Sequence, residues 1–261
     1  MNIDRDTELR RLASALHRQP GELLYLKPLD GQGLLQLRTL LQNRLLDQFS
    51  HLFEKMAASG RIAPDALSAL LCRKVFGPSI TANMSYYVPA DRALRLCKHF
   101  DVPFMTDIAR EMIPERAAEL LRGLPTSLMQ GVMRELLLKR DFLTMGGFTD
   151  HLPEDKALAL MRQIEKPADC IRISRYAQRK DRVARLTAQM DDAQLTRLIE
   201  AAFADQEFVH EIGLVTAEMG DGDQRRMARL TDRIDRVWRK RWRDAAEANG
   251  TLDRLQAYFS A

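Results

Sequence analysis

VPADRALRL (88–96), IPERAAELL (113–121), LPTSLMQGVM (124–133) and LPEDKALALM (152–161) repeat one phrase: an apolar residue, a proline, a few polar residues, then an apolar run. Pro103 and Pro167 open two looser copies. Proline suits the first turn of a helix, because the N–H it lacks has no intrahelical partner there. An acid follows closely in three of the four phrases, at Asp91, Glu115 and Glu154, and the pair reads as a helix start. Short helices that cannot bury their apolar faces alone must stack on neighbours, so the pattern predicts helix pairs stacked into a curved right-handed solenoid over 88–203. No stretch shows clear strand alternation, and the expected class is all-α.

Outward from the phrases, a helix is predicted over 4–17 on Leu9, Leu12, Ala13 and Leu16, stopped by Pro20-Gly21. The segment 23–29 reads as an extended linker. A long helix over 33–58 carries a wide apolar band from Leu34 to Met56, and another begins near Pro64 and closes at Gly77-Pro78. SITANMSYY (79–87) reads as a loop or cap turn. Gly146-Gly147 reads as a hinge in a long helix that starts at Ser127. GDGD (220–223) marks a boundary, followed by one basic helix to Asn249-Gly250 and a short terminal helix with Leu252, Leu255, Tyr258 and Phe259. The expected division is an N-terminal bundle or cap over 1–78, a repeat region over 79–219 and a basic C-terminal segment over 220–261.

With 46% apolar and 29% charged residues among 261, the chain is ordinary for a folded protein and unlike a disordered one. No apolar run approaches the roughly 20 residues that cross a bilayer, and the charged start MNIDRDTELRRL lacks the apolar core of a signal peptide. Cytoplasmic residence is the expectation. Cys72, Cys97 and Cys170, an odd number set far apart, read as core fillers. The net charge of +4 is unevenly placed: residues 223–244 hold nine Lys/Arg against four Asp, a local +5.

IPERAAELLRGLP and LPEDKALALMRQI resemble the helical repeats in the cytosolic N-terminal domain of MgtE-type magnesium transporters. Related superhelical units occur in the middle part of the flagellar switch protein FliG. The likeness covers 88–203 and implies a fold. The regulatory and membrane domains of such transporters have no counterpart in this sequence, and no metal residue is carried over.

No catalytic constellation is legible. His17, His51, His99, His151 and His210 form no zinc-site spacing, and Glu218, Asp221 and Asp223 lack the remaining ligands of a calcium loop. No nucleophile elbow or phosphate loop is present. The reading is a non-enzyme without cofactor or metal. The sharp chemical feature is the basic segment, where Met227, Leu230, Ile234, Trp238 and Trp242 form an apolar side. Arg225, Arg229, Arg233, Arg236, Arg239, Lys240 and Arg243 cover much of the rest. Such a helix offers an anionic partner or nucleic acid a surface, while the two tryptophans are expected to dock it on the repeats. A second basic cluster comprises Arg172, Arg175, Arg179, Lys180, Arg182 and Arg185. The leading expectation is a non-catalytic, bacterial-type cytosolic scaffold or regulator that binds a protein along the repeat surface. The alternative is a nucleic-acid-binding protein acting through the basic helix.

Overall fold

The computed structural model describes residues 3–60, 63–248 and 250–260. Their regular structure is entirely helical, with no strand among the described residues. The chain forms two compact units, Met1–Pro153 and Glu154–Ala261. The division falls at the Leu152-Pro153 phrase, inside the stretch read as one repeat region.

The first unit holds α1 (Arg5–Ala15), α2 (Gly31–Gly60), α3 (Asp65–Leu71), α4 (Gly77–Ser85), α5 (Ala90–Cys97), α6 (Val102–Glu111), α7 (Ala118–Gly123), α8 (Thr126–Leu138) and α9 (Phe142–Thr149). The Asp4 carboxylate accepts the Thr7 N–H at 2.8 Å and caps α1. Leu9, Leu12 and Ala13 of that helix bury against Leu23 and Leu34. From α2 to α8 the helices pack on their second neighbours, α2 on α4, α4 on α6, α6 on α8, and α3 on α5, α5 on α7, while α9 packs on α8.

The repeated prolines set this spacing, in a different way from the one the sequence suggests. Pro89 and Pro125 stand one residue ahead of α5 and α8, with ψ of 135° and 137°. Their carbonyls accept the N–H groups of Ala93 and Met129 at 3.0 and 3.2 Å. Proline's fixed φ permits that extended conformation, and a cap needs only its carbonyl. Pro103 and Pro167 do lie inside the first turn. Where α8 crosses α6, a Cβ on Gly131 would come within 2.9 Å of Val102 Cγ2, so only glycine permits that approach.

Three local readings are corrected. Residues 79–87 are mostly helix α4 rather than a loop. The Thr81 hydroxyl bonds back to the Gly77 carbonyl at 2.7 Å and the Asn83 amide to that of Ser79 at 2.9 Å. Polar side chains that disfavour helices in isolation are thus satisfied within one, while Thr81 and Ala82 bury. Gly146 and Gly147 are buried inside α9. The break lies earlier, where Arg140 takes a φ of 55° and Asp141 caps α9 through the Thr144 N–H. The stretch read as an extended linker is largely a 3-10 helix, Pro20–Leu26, opened by a bond from the Gln19 N–H to Glu22.

The second unit holds α10 (Glu154–Met161), α11 (Pro167–Tyr176), α12 (Lys180–Ala188), α13 (Asp192–Phe203), α14 (Gln206–Ala217), α15 (Asp221–Ile234), α16 (Val237–Ala248) and α17 (Gln256–Phe259). The same rule recurs: α10 packs on α12, α12 on α14, α14 on α16, and α11 on α13, α13 on α15, α15 on α17. Ile171, Leu195, Ile199, Val215, Met227, Trp242, Leu255 and Tyr258 are its largest fully buried side chains.

Candidate anion-binding surface

The basic segment is two helices, and the expected single helix is corrected. Asp235 turns extended, with φ of −161°, and its carboxylate accepts the Val237 N–H at 2.8 Å. That local bond starts α16 at the expense of continuing α15. Asn249, the expected end of the helix, lies outside the described residues.

α15 buries Gln224, Met227, Ala228, Leu230 and Thr231. Asp221 and Asp223 occupy its first turn, where the positive helix end favours them. Two locks hold α15 to the C-terminal residues. The Gln224 amide donates to the carbonyls of Met219 and Arg254 at 3.1 and 2.8 Å while its oxygen accepts the Tyr258 N–H at 3.3 Å. The Tyr258 hydroxyl donates to Thr231 Oγ1 at 2.9 Å, and burial raises that phenol's pKa.

Both tryptophans of α16 dock. Trp238 stacks on Phe203 at 4.3 Å, and Trp242, fully buried, meets Phe203 edge-on at 5.7 Å and Tyr258 at 4.6 Å. The indole N–H of Trp242 has no hydrogen-bond acceptor among the described residues.

Docking sorts the cations. Arg239 turns inward: it lies 3.0 Å from Asp232, donates to the Tyr258 carbonyl at 3.2 Å and covers the Tyr258 ring. It fastens the C-terminal segment, so its expected place on the open basic face is corrected. Arg243 lies exposed over the Phe259 ring, 4.8 Å from its centre. Arg225, Arg229 and Arg233 stand outward on α15, four residues and about 6 Å apart along the axis. Arg236 and Lys240 follow, also exposed. Among the described residues these five side chains have no ion pair, hydrogen bond or ring contact. Neighbouring Arg226 is spent differently, bridging Asp192 at 2.7 Å and the carbonyls of Ala188 and Met190.

The second basic cluster is mostly neutralised at home. Arg172 pairs with Asp169 at 2.6 Å, Arg175 with Glu207, and Lys180 with Glu211 at 2.7 Å. Arg179 and Arg185 share Asp181 at 3.0 and 2.9 Å. Burial pushes the Asp181 carboxyl up, but the two arginines more than offset it and hold it below the ordinary carboxylate value.

One polar cluster in the first unit escaped the sequence. Glu8, fully buried, binds Arg38 at 3.1 Å and Arg11 at 3.1 Å. Arg38 also reaches Glu115 at 3.3 Å, and Arg11 lies 4.0 Å from buried Asp150. Glu8 and Arg38 are 30 residues apart, and no local pattern marks them as partners. Burial pushes the Glu115 carboxyl up, and Arg38, its own backbone amide, His151 and Arg11 together more than offset it, leaving it below its ordinary value.

Burial raises all three thiols, Cys97 to about 11 and Cys170 to about 12, which leaves them protonated and inert at neutral pH. Among the described residues no group of three or more His, Cys, Asp or Glu is placed to hold a metal ion, and no helix is long and apolar enough to cross a membrane. The chain matches no protein-family model, no curated protein and no solved structure.

Proposed function

We propose that the chain is a non-catalytic scaffold or regulator, cytoplasmic, built of stacked helical repeats, which holds an acidic segment of a protein partner. The single observation that carries this reading is the row Arg225, Arg229, Arg233, Arg236 and Lys240. Arg225, Arg229 and Arg233 line α15, and Arg236 in the connection and Lys240 on α16 follow it; all five are exposed with no partner among the described residues, in a unit whose other basic cluster is mostly paired. Unpaired like charges along one line repel one another, and an acidic ligand relieves that repulsion. The second-neighbour packing supports a solenoid arrangement within each unit, the kind of fold implied by the resemblance to the MgtE-type module. Such stacks present extended surfaces along which a partner segment can lie.

The test is capture from native cell lysate by the full chain and by a variant with all five row residues replaced by Glu. The expected result is a specific protein retained by the native chain, released by salt and lost with the variant. Equal capture by both chains would remove the row from the argument.

The same residues favour a second reading, nucleic-acid binding, because the three cations about 6 Å apart on α15, with Arg236 and Lys240 beyond them, can meet successive phosphates. It is decided by titrating fluorescent single-stranded and duplex oligonucleotides. Five phosphate contacts predict a slope of log affinity against log salt of about −4.5 on duplex DNA. No binding at low salt would eliminate this reading and leave the first.

A further inference from the structure

α1 has 11 residues and α2 has 30, so they are about 16 Å and about 45 Å long at 1.5 Å per residue. α1 therefore shields only the beginning of its neighbour, and the core they share ends on α2 at Leu34, Leu37 and Leu41. The same stripe of α2 continues as Leu45, Phe49 and Leu52, at helical spacings of four and three. Those side chains are 50%, 42% and 53% exposed. The side of α2 that meets α4 is a different one, about a quarter-turn round the helix: Leu46, Phe53 and Ala57 are buried there, with Phe53 stacked on Tyr87 at 5.8 Å.

The next helix repeats the arrangement. α3 buries Ser68 and Ala69, followed by Cys72, and packs on α5, while Leu67, Leu70, Leu71 and Val75 remain exposed. α2 and α3 begin the two rows of second-neighbour packing, so each has a following helix on one side and, beyond α1, no preceding one. End units of stacked helices need a polar outer face to stay soluble. This end is apolar instead. Three large side chains on α2 and four on α3 and the segment after it, about half exposed, leave roughly 300 Å² of apolar surface on each.

We propose that a second copy of this chain covers this face, with the bare half of α2 crossing its counterpart about a two-fold axis near Phe49 and α3 at the margin. Two considerations select a second copy. The apolar surface of α2 and that of α3, roughly 600 Å² when both are covered, plus a polar margin reaches the roughly 800 Å² per partner of a standard stable interface. In a two-fold contact, residues at the axis meet themselves, so a charge there would face its own like. Leu45, Phe49 and Leu52 carry none, and two Phe49 rings can pack against each other with the gain of an aromatic pair. This inference stands apart from the basic row, whose five residues belong to the other unit.

Sedimentation equilibrium of the full chain across the micromolar range should give twice the monomer mass. Leu45→Glu with Leu52→Glu should return it to the monomer while the far-UV circular dichroism stays unchanged, because both residues are already half exposed. As an independent readout, Phe49→Cys under mild oxidation should link two copies through position 49, located by mass spectrometry. A monomer throughout the range overturns the proposal and leaves the face to a different protein. A dimer that survives the double substitution, or fails to link at position 49, places the contact elsewhere and overturns it equally.

Discussion

Trp242→Ala tests whether the C-terminal basic segment is part of the fold. The indole is fully buried, edge-on to Phe203 and 4.6 Å from Tyr258. A buried tryptophan removes up to about 250 Å² from water, roughly 6 kcal/mol at 25 cal/mol per Å². Against this stands its N–H, buried without an acceptor among the described residues, which costs about 1–3 kcal/mol. The net, about 3–5 kcal/mol, matches what large-to-alanine changes cost in cores. Trp242→Phe keeps a ring and removes the orphan donor, so it should cost less than about 2 kcal/mol. Trp238→Ala should fall between, near 2 kcal/mol, because that ring is only half-buried although stacked on Phe203. Urea unfolding followed by circular dichroism gives the differences for the transition of the second unit. Trp242, read in a chain carrying Trp238→Phe, should emit blue-shifted from free indole. A Trp242→Ala cost below about 1 kcal/mol, or a Trp238→Ala cost larger than that of Trp242→Ala, would refute the docked arrangement.

Two further outcomes follow from buried polar groups. Arg38→Ala leaves Glu8 in the core without its longest-range partner and should destabilise the first unit by about 3–5 kcal/mol, whereas Arg38→Met together with Glu8→Leu should recover most of that loss in the same urea experiment. Arg38, with the Glu115 backbone amide, His151 and Arg11, holds the Glu115 carboxyl below its ordinary value, so this stabilisation is complete above that ordinary value and disappears as pH falls through the folded one. Arg38→Met should flatten the acid limb of the stability curve, and an unchanged limb would exclude the pair as its source. Tyr258→Phe removes the bond to Thr231 and should cost about 1 kcal/mol at neutral pH. The folded phenol titrates above its unfolded value near 10, so its stabilisation is complete below pH 10 and is lost as pH rises toward the folded value. The variant should lose less stability than the native chain over that alkaline range, measured by thermal melts.

The fold was legible where the cause of a structure is local. Prolines and acidic first turns placed most helices, because their effects act within a few residues. Where a tertiary contact decided, the same signals misled. Gly146-Gly147 looks like a hinge until Phe142, Met145 and Phe148 of the same helix bury and hold it helical. Gly131 carries no local signal for its role, which depends on Val102 of a neighbouring helix. Likewise SITANMSYY has poor helical propensity, and it is the packing of α4 between α2 and α6 that makes it a helix.

Charge poses the same problem more sharply. The clusters at 172–185 and 225–243 look alike as strings, each a run of arginines with scattered aspartates. Local acids, Asp169 and Asp181, account for part of the pairing at 172–185. The rest comes from acids far along the chain, Glu207 for Arg175 and Glu211 for Lys180, as Asp192 serves Arg226 in the other cluster, all more than 30 residues away. No spacing rule finds such partners, because they are chosen by which helices stack on which. A basic stretch becomes a surface for a partner only after the fold has consumed the cations it needs. Arg239 and Arg226 are consumed on α15 and α16, and Arg225, Arg229, Arg233, Arg236 and Lys240 are left over. The residue types made all of them equal candidates, and the packing of α15 and α16 against α13 and the C-terminal helix separated them.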